Sequence, residues 1–343
     1  SGATRAVIEA AALREARANG LSTTLGAMAL STPPTTGSQT GNAQAVQVLL
    51  SEQQPRFLTQ IFSDEPVIAR ARSVAIYTTA SEACVLALSP NSSRAVQFSG
   101  NTNSRLVGCS VMTNSIATDA AIVQGSARLT TPCLISVGGA QTTSGMTLTE
   151  CPAPVTEAAP VADPFATVSA PSTAGTCRNV PNNGPLQPGR YCNGISLNRS
   201  ATLNPGTYVV SGGDFSIGAQ GNVNGNGVTI YLMGNSTVTI NGSATVRLSA
   251  PTSGTYSGMV FFGARDNTGP RARFNGTANS RITGAIYMPS NAVEYLGNFG
   301  GENGCQQIVA NTVEMTGSTD FAVNCSAYGM RPIPAMQNVR LAE

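Results

Sequence analysis

From residue 203 to residue 325 the apolar positions fall into very short groups separated by polar corners. The pattern predicts strands at 207–210, 228–233, 237–240, 245–248, 259–262, 282–288, 307–309, 312–315 and 321–323. Between them lie NPG, SGG, NVNGNG, MGNS, NGS, SGTYSG and NGTANS, all turn-forming combinations. Alternation assigns faces: Val228, Ile230 and Leu232 share one side of a strand, as do Val238 and Ile240. No intervening segment is long enough for a crossover helix. Short strands with tight corners therefore predict a mainly β fold, a parallel β-helix (solenoid), ahead of a sandwich.

The rest of the chain divides by texture. Residues 1–79 read as a small N-terminal α+β domain. It has an Ala-rich helix over 3–19 stopped at Gly20, a Pro/Thr/Gly loop, and a strand from 45 to 51 with Val46, Val48 and Leu50 on one face. A short helix or turn over 55–62 and a β-branched strand over 67–77 follow. Residues 80–151 read as a first β-helix part. There FSGNTNSRLVGCSVMTNS overlays VQGSARLTTPCLISVGG with Gly100 on Gly125, a length that fits one turn of a β-helix. Residues 152–176 are a Pro/Ala-rich linker or crossover, 177–327 a second β-helix part, and 328–343 an extended tail. The shared texture of the two β parts favours one composite helix over two.

Composition narrows the function. All 19 basic residues are Arg; there is no Lys, His or Trp, and the net charge is +2. Charged residues make up 10% of the chain, against about 25% in ordinary domains. That balance gives no electrostatic case for a nucleic-acid partner or an anionic membrane surface. With 41% hydrophobic residues set in alternating strands, a packed core is expected rather than disorder.

The eight cysteines are Cys84, Cys109, Cys133, Cys151, Cys177, Cys192, Cys305 and Cys325, an even number without metal-type C-x-x-C spacing. Disulfides in an oxidising compartment fit them better than zinc, for which no His is available. Pairing of sequence neighbours gives Cys84–Cys109, Cys133–Cys151, Cys177–Cys192 and Cys305–Cys325; spacing alone leaves other connectivities open. No signal peptide or membrane span is present, so a processed ectodomain, or a targeting segment lying upstream, is expected.

Pro33, Pro34, Thr35 and Gly37 form a Pro-rich loop, and residues 69–75 read ARARSVA. On these motifs residues 10–165 resemble the periplasmic part of TadG-like proteins of the tight-adherence (Flp) pilus system, which carry such a loop and an A-R-A-V-A strand. Cys84, Leu86, Ala87, Leu88, Gly108, Cys109 and Asp163–Pro164 fit as well. The resemblance implies a bacterial protein of the periplasm or cell surface that works with other pilus or envelope proteins, or with copies of itself. It also implies a membrane anchor at the N-terminus that this sequence does not contain. The D-x-S-x-S metal-adhesion motif carried by some relatives is missing.

No catalytic, cofactor or metal residues are expected. Without His and Lys, the Ser-His-Asp, Cys-His and Ser-Lys arrangements are excluded. Polysaccharide-cleaving β-helices rely on clustered carboxylates, but Asp214, Asp266, Asp320, Glu294, Glu302 and Glu314 are isolated in sequence. Arg265–Asp266 reads as a turn with a surface ion pair, GNVNGNG at 221–227 as a corner turn, and the N-x-S/T sequons as turns. Tyr256, Phe261, Phe262, Phe274, Tyr287, Tyr295 and Phe299 read as core or stacking residues ahead of a glycan-binding strip. The expected function is a non-enzymatic structural or adhesive envelope protein; the alternative is a carbohydrate-binding or polysaccharide-cleaving β-helix with surface polysaccharide as partner.

Overall fold

The computed structural model describes residues 5–43, 45–54, 65–322 and 325–342. Contacts divide the chain into two units: Ser1–Ala80 with Gln337–Glu343, and Ser81–Met336. The tail read as one piece over 328–343 is thus shared between them.

In the first unit, helix α1 (Arg5–Ala18) is built from good helix formers and ends at Gly20, whose φ of 102° only glycine adopts readily. Strands β1 (Gly26–Ser31), β2 (Ala45–Gln54) and β3 (Val67–Ala87) form an antiparallel sheet with β2 in the middle. Val46, Val48 and Leu50 share a half-buried face as their alternation predicts, yet the fully buried positions in β2 are Ala45 and Gln47 on the other face. The tail returns here, where the Ala342 amide donates to the Val74 carbonyl. The helix or turn expected at 55–62, together with Val323 and Asn324, lies outside the described residues.

The second unit is a parallel β-solenoid of about ten turns. Each turn contributes one strand to each of three parallel ladders. The first ladder runs through Gly189–Tyr191, Gly206–Val210, Val228–Leu232 and Met259–Gly263, then through parts of Arg281–Tyr295 and Gln306–Met315. It continues into the end of β3, then Cys109–Thr113 and Leu134–Ser136. Chain order and stacking order therefore differ. The chain enters the stack in its middle, at residues 82–87, and climbs to one end near Val155. It crosses to the opposite end at Cys177 and coils back up until Ile308 pairs with Val85 and Val313 with Val96. The two β parts form one stack, joined at a seam without covalent continuity.

Register places like on like. Tyr208, Ile230, Phe261, Ile286, Ile308, Val85, Val111 and Leu134 are successive partners in the first ladder and belong to one buried cluster. The second ladder stacks Phe274, Tyr295, Met315, Phe98 and Val123 inward in the same way. Buried tyrosines keep their hydroxyls bonded: Tyr208 donates to the Asn204 carbonyl at 2.7 Å and Tyr295 to that of Phe299 at 2.7 Å. The stretch read as a corner turn, 221–227, is in fact largely the third-ladder strand Asn222–Gly225. Asn and Gly are poor strand formers, but Val223 packs inward between Ala201 and Val246, and Gly225 sits where a side chain would crowd its neighbours. A Cβ there would sit 3.0 Å from that of Leu203.

The disulfides are Cys84–Cys109, Cys133–Cys151, Cys177–Cys192 and Cys305–Cys325, the sequence-neighbour pairing. Their placement has a common logic. One bridge sits near each end of the stack and two flank the seam, where the Ala322 carbonyl oxygen lies 3.8 Å from the Cys84 sulfur and 3.4 Å from that of Cys325. The bridges fall where a strand lacks a covalently continuous neighbour.

Residues 152–176 form a strap over the outer side of the first ladder. That side is itself apolar: Val209, Tyr231, Phe262, Tyr287, Val309, Leu86, Met112 and Ile135 are buried with Phe165 and Val168 of the strap in a second cluster. The strap is pinned along its length. Val155 bridges to Ile135, and Asn114 bonds both polar groups of the Val161 backbone. Tyr287 donates its hydroxyl to Asp163 at 2.7 Å. Arg265, expected in an ion pair with Asp266, instead donates to the carbonyls of Phe165 at 2.6 Å and Val168 at 3.1 Å, its guanidinium over the rings of Phe262 and Tyr287. Two backbone carbonyls that the strap must bury outcompete a solvated neighbouring carboxylate.

Two predictions follow from this construction. Replacing Cys84 and Cys109 together with Ala lowers the unfolding free energy by about 3 kcal/mol in urea titration. It also accelerates amide exchange at residues 83–87 while leaving 228–232 protected, since only the former pair across the seam. Arg265→Ala costs about 2 kcal/mol through two lost charge-assisted bonds, and limited proteolysis then cuts within residues 160–170 before the solenoid unfolds.

Candidate functional site

The three outer faces of the solenoid are treated differently. The first is sealed by the strap. The second carries Ser196, Ser216, Thr239, Arg273, Glu294, Glu314, Gln97 and Ile122 as successive partners. Here the carboxylates that look isolated in sequence come together: Glu294 and Glu314 are direct neighbours on adjacent turns. Arg271 and Arg273 both bind Glu294, the latter through Nε at 2.8 Å, and Arg271 lies 3.8 Å from Glu314. Burial pushes the Glu294 carboxyl up, but hydrogen bonds and charge from the two arginines outweigh it and hold the group below its usual range. Two carboxylates and two guanidinia cancel in charge, and the cluster lies on an open strand face rather than in a cavity.

The third outer face is uncovered and polar. Thr202, Asn224, Arg247 and Arg281 are successive partners in one outward row. Arg281 bridges to Gly300, and beyond it Asp320, Arg105, Thr130 and Thr147 continue the row. Gly300 fits because a Cβ there would lie 2.8 Å from the Asp320 carbonyl oxygen. Strand alternation turns Ala201, Val223, Val246, Ile282, Phe321 and Leu106 into the core and their neighbours out to solvent. Three shallow concavities lie along this face. One of about 510 Å³ surrounds Arg128 and Thr147, one of about 530 Å³ Arg281, Asn303 and Asp320, and one of about 480 Å³ Arg199, Thr202 and Asn224.

The arginines of this face lack ionic partners. Among the described residues, no ion pair involves Arg105, Arg128, Arg247 or Arg281. Arg281 is held by its own turn, donating to the Ala278 and Ser280 carbonyls at 2.9 and 2.7 Å. The remaining carboxylates singled out in sequence do not gather: Asp214 accepts from the Thr237 amide, Glu302 sits in a turn, and Asp266 is exposed. Among the described residues no His/Cys/Asp/Glu group could hold a metal ion. The aromatic residues go inside: Phe261, Phe274, Tyr295 and Phe299 into the solenoid core, Phe262 and Tyr287 beneath the strap, with Tyr256 half-buried beside them.

Comparison with family models, with curated proteins and with solved structures returns no match. The four disulfides place the chain in an oxidising environment. Among the described residues no helix is long and apolar enough to cross a membrane.

The Glu294 cluster carries a pH prediction. A depressed carboxylate pKa adds stability above the ordinary value and loses it as pH falls through the depressed one. Glu294→Gln is therefore expected to cost about 1 kcal/mol near neutral pH, the half-exposed arginines limiting the gain. Denaturation midpoints of variant and parent should converge as pH drops below the usual carboxylate range.

Proposed function

We propose that the chain is a non-enzymatic structural or adhesive component of the bacterial envelope, acting at the periplasm or cell surface with the tight-adherence pilus system. The observation that carries this reading is the third outer face. It sets hydrogen-bonding and cationic groups on most turns, about 4.8 Å apart, interrupted at Gly300 and Asp320. A surface of that kind suits many weak, repeated contacts with a polymer or an assembly. Among the described residues its concavities are open ones. The TadG-like pattern of residues 10–165 supports the pilus connection, and the four disulfides agree with a site outside the cytoplasm.

The enzyme alternative would have to work at Glu294 and Glu314, where two carboxylates meet. There Arg271 and Arg273 occupy the oxygens of Glu294 that a general acid or nucleophile needs free. A clean deletion of the gene is expected to reduce surface adherence and pilus number by microscopy, with growth unchanged. Intact pili and adherence, together with loss of growth on one glycan, would overturn the reading and favour the enzyme.

A further inference from the structure

We propose that the third outer face binds a linear, sparsely anionic polysaccharide, one carrying carboxylates, along the row of Arg247, Arg281 and Arg105 with Arg128 beside it. The argument starts from an imbalance. Arg247 and Arg281 are direct partners on adjacent strands, both exposed, with no carboxylate bound to either among the described residues. Like charges placed opposite one another in a sheet are destabilising. On the neighbouring face the same chain neutralises Arg271 and Arg273 with Glu294 and Glu314. The third face leaves its charges open, and an anionic ligand is what would complete them.

The rest of the row identifies the ligand class. On either side of the arginines stand Thr202 and Asn224, and Thr130 and Thr147, which bond hydroxyl groups rather than more charge, while Gly300 and Asp320 lie between Arg281 and Arg105. The turn spacing of about 4.8 Å is close to the length of one sugar residue, so a polysaccharide lying along the stack meets each turn in phase. A nucleic acid fits less well. It carries one charge per about 1.7 Å of duplex and, single-stranded, stacks its bases on aromatic side chains. Phe299, which borders the concavity around Arg281, is buried. Asp320, directly beside Arg105 in the row, opposes an anionic chain at that step.

The inference rests on reading this face as a contact surface, but its test is made in vitro and is independent of pilus phenotype. The purified protein is run through native gels containing polygalacturonate, neutral dextran or single-stranded DNA, at low and high salt. Retardation by polygalacturonate, weakened by salt, is expected; dextran is expected to have no effect. Arg247→Gln combined with Arg281→Gln should weaken binding about tenfold or more. Asp320→Asn should strengthen it severalfold, an outcome that general loss of structure cannot produce. Unchanged denaturation midpoints establish that both variants fold. No retardation by polygalacturonate, equal retardation of the double variant, or tighter binding of DNA than of polygalacturonate would each overturn the proposal.

Discussion

The second unit depends on one pairing. Ile308 meets Val85, and Val313 meets Val96, between strands the chain does not connect directly. Without that junction the solenoid is two short stacks, each with an open strand edge and a truncated core. With it, the inner row from Tyr208 to Leu134 becomes continuous, and each turn is buried by a turn on either side. Stacked turns gain stability mainly from neighbours, so a seam is the weakest plane of such an object. The Cys84–Cys109 and Cys305–Cys325 bridges flank that plane, and the strap crosses it on the outside. Between its pins at Asn114 and Arg265 it passes over the outer positions Leu86 and Val309 of the seam itself.

Placing the seam in the middle also fixes the fate of the three outer faces. Because the chain climbs to one end and must return to the other, residues 152–176 have to travel the length of the stack. They do so over the first ladder, whose outward residues are apolar and need cover. The second face neutralises itself with arginine–glutamate pairs. The third is left open, and what remains on it is a row of threonine, asparagine and arginine at strand spacing, broken by Gly300 and Asp320. A surface with unpaired arginines in register is an arrangement that folding alone does not favour, which makes this face the functional candidate.

Much of the fold was legible along the chain. Alternation in 228–233 and 237–240 gave strands with a single inner face, and turn-forming corners at short intervals gave coils instead of crossovers. The overlay of Gly100 on Gly125 matches true neighbours, since Asn103 pairs with Arg128, its counterpart one turn further along the chain. The pairing of neighbouring cysteines follows from the same geometry: residues one turn apart stack. The arginine row was not legible, because turns differ in length. One turn separates residues 23 apart at Asn226 and Ser249 but 34 apart at Val246 and Ser280. Arg247 and Arg281 therefore share no visible period, and Glu294 with Glu314 looked isolated for the same reason.

Sequence by itself determined what is local: short strands, their inward positions, the helix of the first unit and the absence of histidine and lysine chemistry. Tertiary structure decided what depends on stacking order. That the two β parts join end to start, that Arg265 serves the strap and not Asp266, and that one face keeps uncompensated arginines all follow from which turn lies beside which. Local pattern specifies which way a side chain points within its strand; only the register between distant turns specifies what stands next to it.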